Sequence, residues 1–299
     1  MSEVLDFSIV KQSRALLIWN NSKQPFIIYR ENPLIDYFTD DDRAEGILID
    51  SGKIIHIGNK EIEQEFMENV RNVKCSSISF KNRDCQTDDS ILIKSFYIPL
   101  ESEIKIFIDE SKKLRNTVME TLQSSVVGYS EIEVGRKISA AVTEMGFKIR
   151  SSPIVAFDES ISEIWHKNSN RKIEKMGYVE AIAYKNGIPY IFSETVFLEN
   201  GEFAQDYVEF IKAREFLIEN LVAGNRVSYI YEELKNFRHE KLYLTQPLYP
   251  YTNWIQMPGE DKYVEMRGTA VFDLWLKRER YTLRKKFIAI SGYESAIVL

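Results

Sequence analysis

The stretch 180–198, EAIAYKNGIPYIFSETVFL, combines residue types and a spacing that could do chemistry. Tyr184 and Tyr190 flank Lys185-Asn186-Gly187, and an Asn-Gly pair between strand formers predicts a tight hairpin. Carboxylates on the two strands of a buried hairpin can converge on a divalent ion, which needs anionic oxygens. Here Glu180 falls close to opposite Ile191, so one of the two positions is apolar. The chain has three histidines, His56, His166 and His239, and only His166 lies in a polar loop next to this hairpin. A basic cluster, Lys277, Arg278, Arg280, Arg284, Lys285 and Lys286, sits on a terminal hairpin. Its inward members would want an anion, and a solvated strand face is the simpler reading. Tyr243, Tyr249, Tyr251 and Trp254 crowd a segment with Pro247 and Pro250. Aromatics with polar tips suit a binding wall, although ordinary packing also accounts for them.

The elements that must position these groups change character near residue 100. Before it, apolar runs at 15–19 and 26–29 have strand length, and Asn32 and Pro33 open a short helix over 32–38. Residues 46–58 read as a hairpin turning at Ser51-Gly52, and Ile62, Phe66 and Val70 mark a helix. The runs CSSISF and ILIKSFYI supply two more strands around the polar loop 81–90. After residue 100, Ile104, Ile108, Leu114, Val118 and Leu122 keep a helical repeat. A second helix starts at a Ser130/Glu133 capping box and ends at Gly146. The strand IVAF and the hairpin follow, then helices near 203–222 and 228–239. The strand-rich segments TAVFDLWL, RYTLRKKFIAI and SAIVL close the chain. The expected domains are 1–100 and 101–299.

Composition is that of an ordinary globular protein, with 44% hydrophobic and 28% charged residues over 299 positions. A net charge of -6 argues against bulk nucleic-acid binding. Two cysteines, Cys75 and Cys85, match no zinc pattern and read as reduced thiols. The start, MSEVLDFSIVKQ, lacks the features of a signal peptide, and no apolar run reaches membrane-spanning length. The expected location is the cytoplasm, with no membrane and no nucleic-acid partner.

The order helix, helix, strand, loop, hairpin, helix, helix, terminal strands resembles the pita-bread fold of the creatinase, aminopeptidase P and prolidase superfamily of Xaa-Pro peptidases. Residues 1–100 look like the smaller creatinase-type N-terminal α/β domain, so the fold class expected is α+β. The string IVAFDESISEIWHKNSNRKI (154–173) is similar to the family stretch that runs from Ile-Val-Ala through Pro-His to Arg-x-Ile. It places His166 at the substrate-contacting histidine. Matching SETVFL to the family's Thr-Arg-Thr-x-Phe places Glu180 and Ile191 at its two metal aspartates.

The resemblance implies a dinuclear metal centre held by two Asp, one His and two Glu, and this chain departs from it. No histidine follows His239. The first glutamate position falls at Trp275, or at Leu274 or Leu276 one residue away, and the second at Lys285 or Lys286. The sequence therefore points to a non-catalytic Xaa-Pro peptidase homologue that binds no metal or cofactor. It would keep its cleft for a peptide or protein ligand, with His166, Tyr249, Tyr251 and Trp254 as candidate contacts, and would form a homodimer. The other readings are an active metal-dependent Xaa-Pro dipeptidase and a regulatory partner subunit of a complete relative. Residues 101–299 are expected to build one curved antiparallel sheet backed by four helices. Glu180 and Ile191 are expected on one face of it, directed at Trp275.

Overall fold

The computed structural model of the chain describes residues 7–30, 32, 34–39, 41, 43–58, 74–75, 86–87, 89–96, 99–163, 166–198, 201, 203–235, 241–243, 269–292, 294 and 296–298. Its contacts divide into two units. One contains residues 1–106 with the hairpin tip 185–189 and 249–252; the other contains the remainder.

In the first unit, α1 (Phe7–Ser22) replaces the strand expected at 15–19. Its buried residues, Val10, Arg14, Ala15, Ile18 and Ser22, lie on one face of the helix, to which the apolar run contributes Ala15 and Ile18 while Leu16 is exposed. The same correction applies to residues 91–96 of ILIKSFYI, which lie in α3 (Asp89–Phe96) with Ile91, Leu92, Ser95 and Phe96 buried. The short α2 (Ile35–Phe38) follows Asn32, whose side chain accepts from Leu34 N at 3.0 Å. The sheet runs β3-β2-β1-β4-β5, built from β1 (Phe26–Tyr29), β2 (Gly46–Asp50), β3 (Lys53–Ile57), β4 (Lys74–Cys75) and β5 (Gln86–Thr87). The β2–β3 turn is Ser51-Gly52, both at positive φ. Buried Arg14 pairs with buried Glu103, which also accepts from Tyr37 Oη at 2.5 Å and Leu100 N at 2.7 Å. Cys75 is disulfide-bonded, which corrects the reduced-thiol reading. The expected helix at 59–70 lies outside the described residues.

The second unit carries the four expected helices: α4 (Glu101–Ser125), which begins in the first unit, α5 (Glu131–Glu144), α6 (Ala204–Asn220) and α7 (Val227–Lys235). Among the described residues its strands form two four-stranded sheets where one was expected. In the first, β8 (Met176–Lys185) pairs on one edge with β6 (Lys148–Ile149) and β7 (Ile154–Phe157), and also pairs with β9 (Ile188–Phe197). The second runs β10-β11-β12-β13, from β10 (Lys241–Tyr243), β11 (Thr269–Lys277), β12 (Thr282–Ile290) and β13 (Ile297–Val298). Side-chain hydroxyls join the two sheets. Ser193 Oγ bonds Lys286 O at 2.7 Å and accepts from Lys286 N at 2.6 Å, and Thr195 Oγ1 donates to Arg284 O at 2.8 Å. Among the described residues, no helix is long and apolar enough to cross a membrane.

The capping box is built as its sequence spells it. Ser130 Oγ accepts from Glu133 N at 3.4 Å, and the Glu133 carboxylate takes Ser130 N at 2.8 Å. Substituting Ser130→Ala should cost about 1 kcal/mol. Thermal denaturation should then show a melting temperature lower by roughly 2–4 °C.

Candidate functional site

The β8–β9 hairpin turns at Asn186-Gly187, with φ of 51° and 70°. This is the left-handed pair that a two-residue type I′ turn requires. Strand alternation then sets the faces. Tyr178, Glu180 and Ile182 share one face of β8. Ile191 packs against Ile182, Val271 and Ile288. Ile191 thus lies on the Glu180 face but meets β11 and β12 at an apolar contact, away from Trp275.

Glu180 meets the basic strand. In the β11–β12 register Asp273 is opposite Lys286 and Trp275 is opposite Arg284, so these four side chains share a face. Lys286 Nζ donates to Glu180 Oε1 at 2.7 Å and stands 3.8 Å from Asp273 Oδ2. Arg284 holds Asp273 through two parallel bonds, Nε to Oδ1 at 3.1 Å and Nη2 to Oδ2 at 2.8 Å. The same Nη2 lies 3.4 Å from Glu180 Oε2, which accepts from Tyr178 Oη at 2.7 Å. The guanidinium also lies over two rings, 4.2 Å from the Trp275 centroid and 4.7 Å from that of Tyr178. Side-chain exposure is 2% for Glu180, 4% for Asp273, 3% for Arg284 and 12% for Lys286. Burial first, then the Glu180 carboxylate, raises the Tyr178 hydroxyl well above its usual pKa and keeps it a donor. Burial alone would lower Arg284, but Tyr178, Asp273 and Glu180 outweigh it and hold the guanidinium charged.

The solvated strand face expected for the basic cluster is therefore corrected at these positions. Arg284 and Lys286 point inward because Glu180 and Asp273 satisfy them. Lys285 faces the other way, where its Nζ donates to Ser193 O at 2.5 Å and Glu194 Oε2 at 2.7 Å. Burial lowers its pKa, a shift that Glu194 opposes and that Arg214 and Arg115 reinforce. Sequence reasoning missed Asp273. The signal was present: one acid in the apolar run TAVFDLWL, in step with Trp275.

His166 is held by two carboxylates. Its Nε2 bonds Glu131 Oε2 and its Nδ1 bonds Glu163 Oε2, each at 2.9 Å. Glu131, in the first turn of α5 and fully buried, also accepts from Phe157 N, Ser160 Oγ, Ser169 N and Ser169 Oγ. Burial would lower the His166 pKa, but the bonds to Glu163 and Glu131 raise it overall. Burial would likewise raise Glu131, and its bonds from Ser169, His166 and Phe157 lower it. Both ring nitrogens are occupied, so His166 works here as a tie between α5 and its own loop. Glu131 as the hub of that tie was not legible, because an acid in a first helical turn reads as a helix start. Tyr249, Tyr251 and Trp254 lie outside the described residues.

The metal centre that the resemblance implies does not suit these donors. Two ions about 4 Å apart need bridging carboxylates. Glu180 and Asp273 are instead neutralised by Arg284 and Lys286. A divalent ion about 4 Å from one ammonium would be repelled by roughly 8 kcal/mol at an effective dielectric of about 20. Among the described residues, no three His, Cys, Asp or Glu side chains form a group able to hold a metal.

No sequence-family model and no curated protein sequence matches the chain. Its fold matches solved structures over nearly its whole length. An X-Pro aminopeptidase from Thermotoga maritima covers 96% of each chain at TM-score 0.74 and 14% identity. A prolidase from Thermococcus sibiricus covers 98% of this chain and 96% of its own at TM-score 0.73 and 13% identity. A Xaa-Pro dipeptidase from Bacillus anthracis covers 97% of each at TM-score 0.72 and 14% identity. The α+β pita-bread fold is thereby shown.

Two predictions follow from this geometry. Glu180→Gln or Lys286→Met alone should cost about 3 kcal/mol, because each strands a buried charge. The double variant should cost clearly less than the sum, as read by a double-mutant cycle in urea. Separately, the folded state favours protonated His166 and ionised Glu131. Their joint contribution should be greatest from about pH 4.5 to about pH 6.5, their ordinary values. It is lost as pH rises through the elevated His166 value and as pH falls through the depressed Glu131 value. Urea midpoints should decline as pH rises above about 6.5 and through the elevated His166 value, and His166→Gln should flatten that decline.

Proposed function

We propose that this chain is a member of the Xaa-Pro peptidase superfamily in which protein cations have taken the place of metal ions, leaving a non-catalytic peptide- or protein-binding module. The observation that carries this reading is the closed, neutral set that Glu180 and Lys286, two of the positions the resemblance gives to metal ligands, make with Asp273 and Arg284. Enzymes of that kind activate water on a metal, whose charge lowers the water's pKa toward neutrality. Here Ile191 supplies packing in place of a carboxylate, and Trp275 supplies a ring face to Arg284. Neither offers an oxygen to an ion.

What the fold retains is a two-sheet scaffold whose buried charges at Glu180, Asp273, Arg284 and Lys286 are paired with one another, so a ligand would be recognised at the rim of the cleft. In this reading Tyr249, Tyr251 and Trp254 belong to that rim, and proline-containing peptides are the first ligands to screen. His166 would reach a peptide only by giving up Glu163, the more exposed of its two partners. The unit that acts is proposed to be a cytoplasmic homodimer.

The test is hydrolysis. Purified chain with saturating Mn2+ or Co2+ should turn over Ala-Pro and Met-Pro no faster than the same mixture with chelator. A robust rate that disappears with chelator and returns with metal would establish the active dipeptidase instead.

A further inference from the structure

The face of β12 turned away from Glu180 gathers positive charge. Lys285 and Phe287 share that face, two positions apart on the strand. Lys285 Nζ bonds Ser193 O and Glu194 Oε2, which accounts for two of its three N–H donors. The Arg214 guanidinium, carried by α6, stands over the same strand, 5.7 Å from the Phe287 ring centroid. Its Nε is buried and has no hydrogen-bond partner. Arg115 on α4 is the next cation. Together with Arg214 it opposes the protonation of Lys285, so both charges are felt at the ammonium. One turn before Arg115, the buried Ser111 hydroxyl also has no partner. Residues four apart on a helix lie on one face, so α4 presents this hydroxyl beside Arg115. Solvent reaches the group, because Arg115 is exposed and the side chains of Lys285 and Glu194 are 16% and 21% exposed.

We infer that Lys285, Arg214 and Arg115 form a binding site for a phosphate-class oxyanion, on the face of β12 against which α6 packs. Three cations there face one carboxylate, Glu194, and the excess is the charge of a phosphate dianion. The Glu180 set on the other face contains two acids and two bases and needs no further ion. A buried donor without an acceptor is rare, and an ion or water commonly completes it. The Arg214 Nε–H and a neighbouring Nη–H form a planar fork that matches two oxygens of one oxyanion. The third N–H of Lys285 and the Ser111 hydroxyl supply further donors, and exposed Arg115 supplies charge at the mouth. A carboxylate would answer the fork but leave half of the positive excess unbalanced. The site lies across β12 from the cleft, so it does not depend on whether the cleft is catalytic.

The experiment uses the full chain, with inorganic phosphate as the probe and sodium chloride of equal ionic strength as the reference. Wild type should melt about 2 °C or more higher in roughly 10 mM phosphate than in chloride. Acetate at the same concentration should give a smaller rise. Arg214→Gln should abolish the phosphate-dependent rise, and Arg115→Gln should reduce it by at least half. Lys212→Gln, which removes an exposed charge from the same helix, should leave it whole. If Arg214→Gln does not fold, Arg115→Gln decides, since that side chain is exposed. Glycerol phosphate in place of the free ion separates the two sources of the group. A rise equal to that with inorganic phosphate assigns the site to phosphate esters, and a rise with the free ion alone assigns it to phosphate itself. Equal melting of wild type in phosphate and chloride overturns the inference. So does an undiminished rise in a folded Arg214→Gln or Arg115→Gln chain.

Discussion

Glu180 and Asp273 are buried carboxylates, and everything around them follows from the need to compensate their charge. A buried ionised carboxylate without a partner is costly enough that it is seldom found. A metal could meet that need, and so could basic side chains, but the two solutions exclude each other at close range. This chain uses Arg284 and Lys286. Once they are in place, the neighbouring side chains fit together. Trp275 and Tyr178 cover the guanidinium, and Ile191, Val271 and Ile288 fill the next layer with apolar contact.

The network also depends on how two sheets are brought together. Glu180 belongs to β8 and its cationic partners, Arg284 and Lys286, to β12, so a one-residue slip in either sheet would turn the partners outward. Ser193 and Thr195 guard against that slip. Their hydroxyls bond to the backbone of β12 beside Lys286 and Arg284, which fixes β9 against the strand that carries both cations. The buried polar set is thus specified by register. A buried ion pair of this type adds little net stability, because the desolvation of its charges offsets their attraction.

Much of this was legible in the sequence where a local rule is strong. The Asn186-Gly187 turn, the Ser130/Glu133 capping box and the four helices of the second unit all have signatures a few residues long. The errors came where burial outweighs local pattern. The runs at 15–19 and 91–96 are apolar enough for strands, and only tertiary contact shows that they lie in helices. The basic cluster read as solvated, because nothing local reveals that two acids wait on other strands. Asp273 and Glu180 are 93 positions apart in the numbering, and their meeting is a property of the fold.

The most direct test of the central claim is a crystal structure of the unmodified chain soaked in Mn2+, with anomalous scattering recorded at the manganese edge. The account predicts no anomalous peak beside Glu180 or Asp273, and the Lys286 ammonium resolved between them. Two peaks about 4 Å apart, with Lys286 turned away from Glu180, would contradict it.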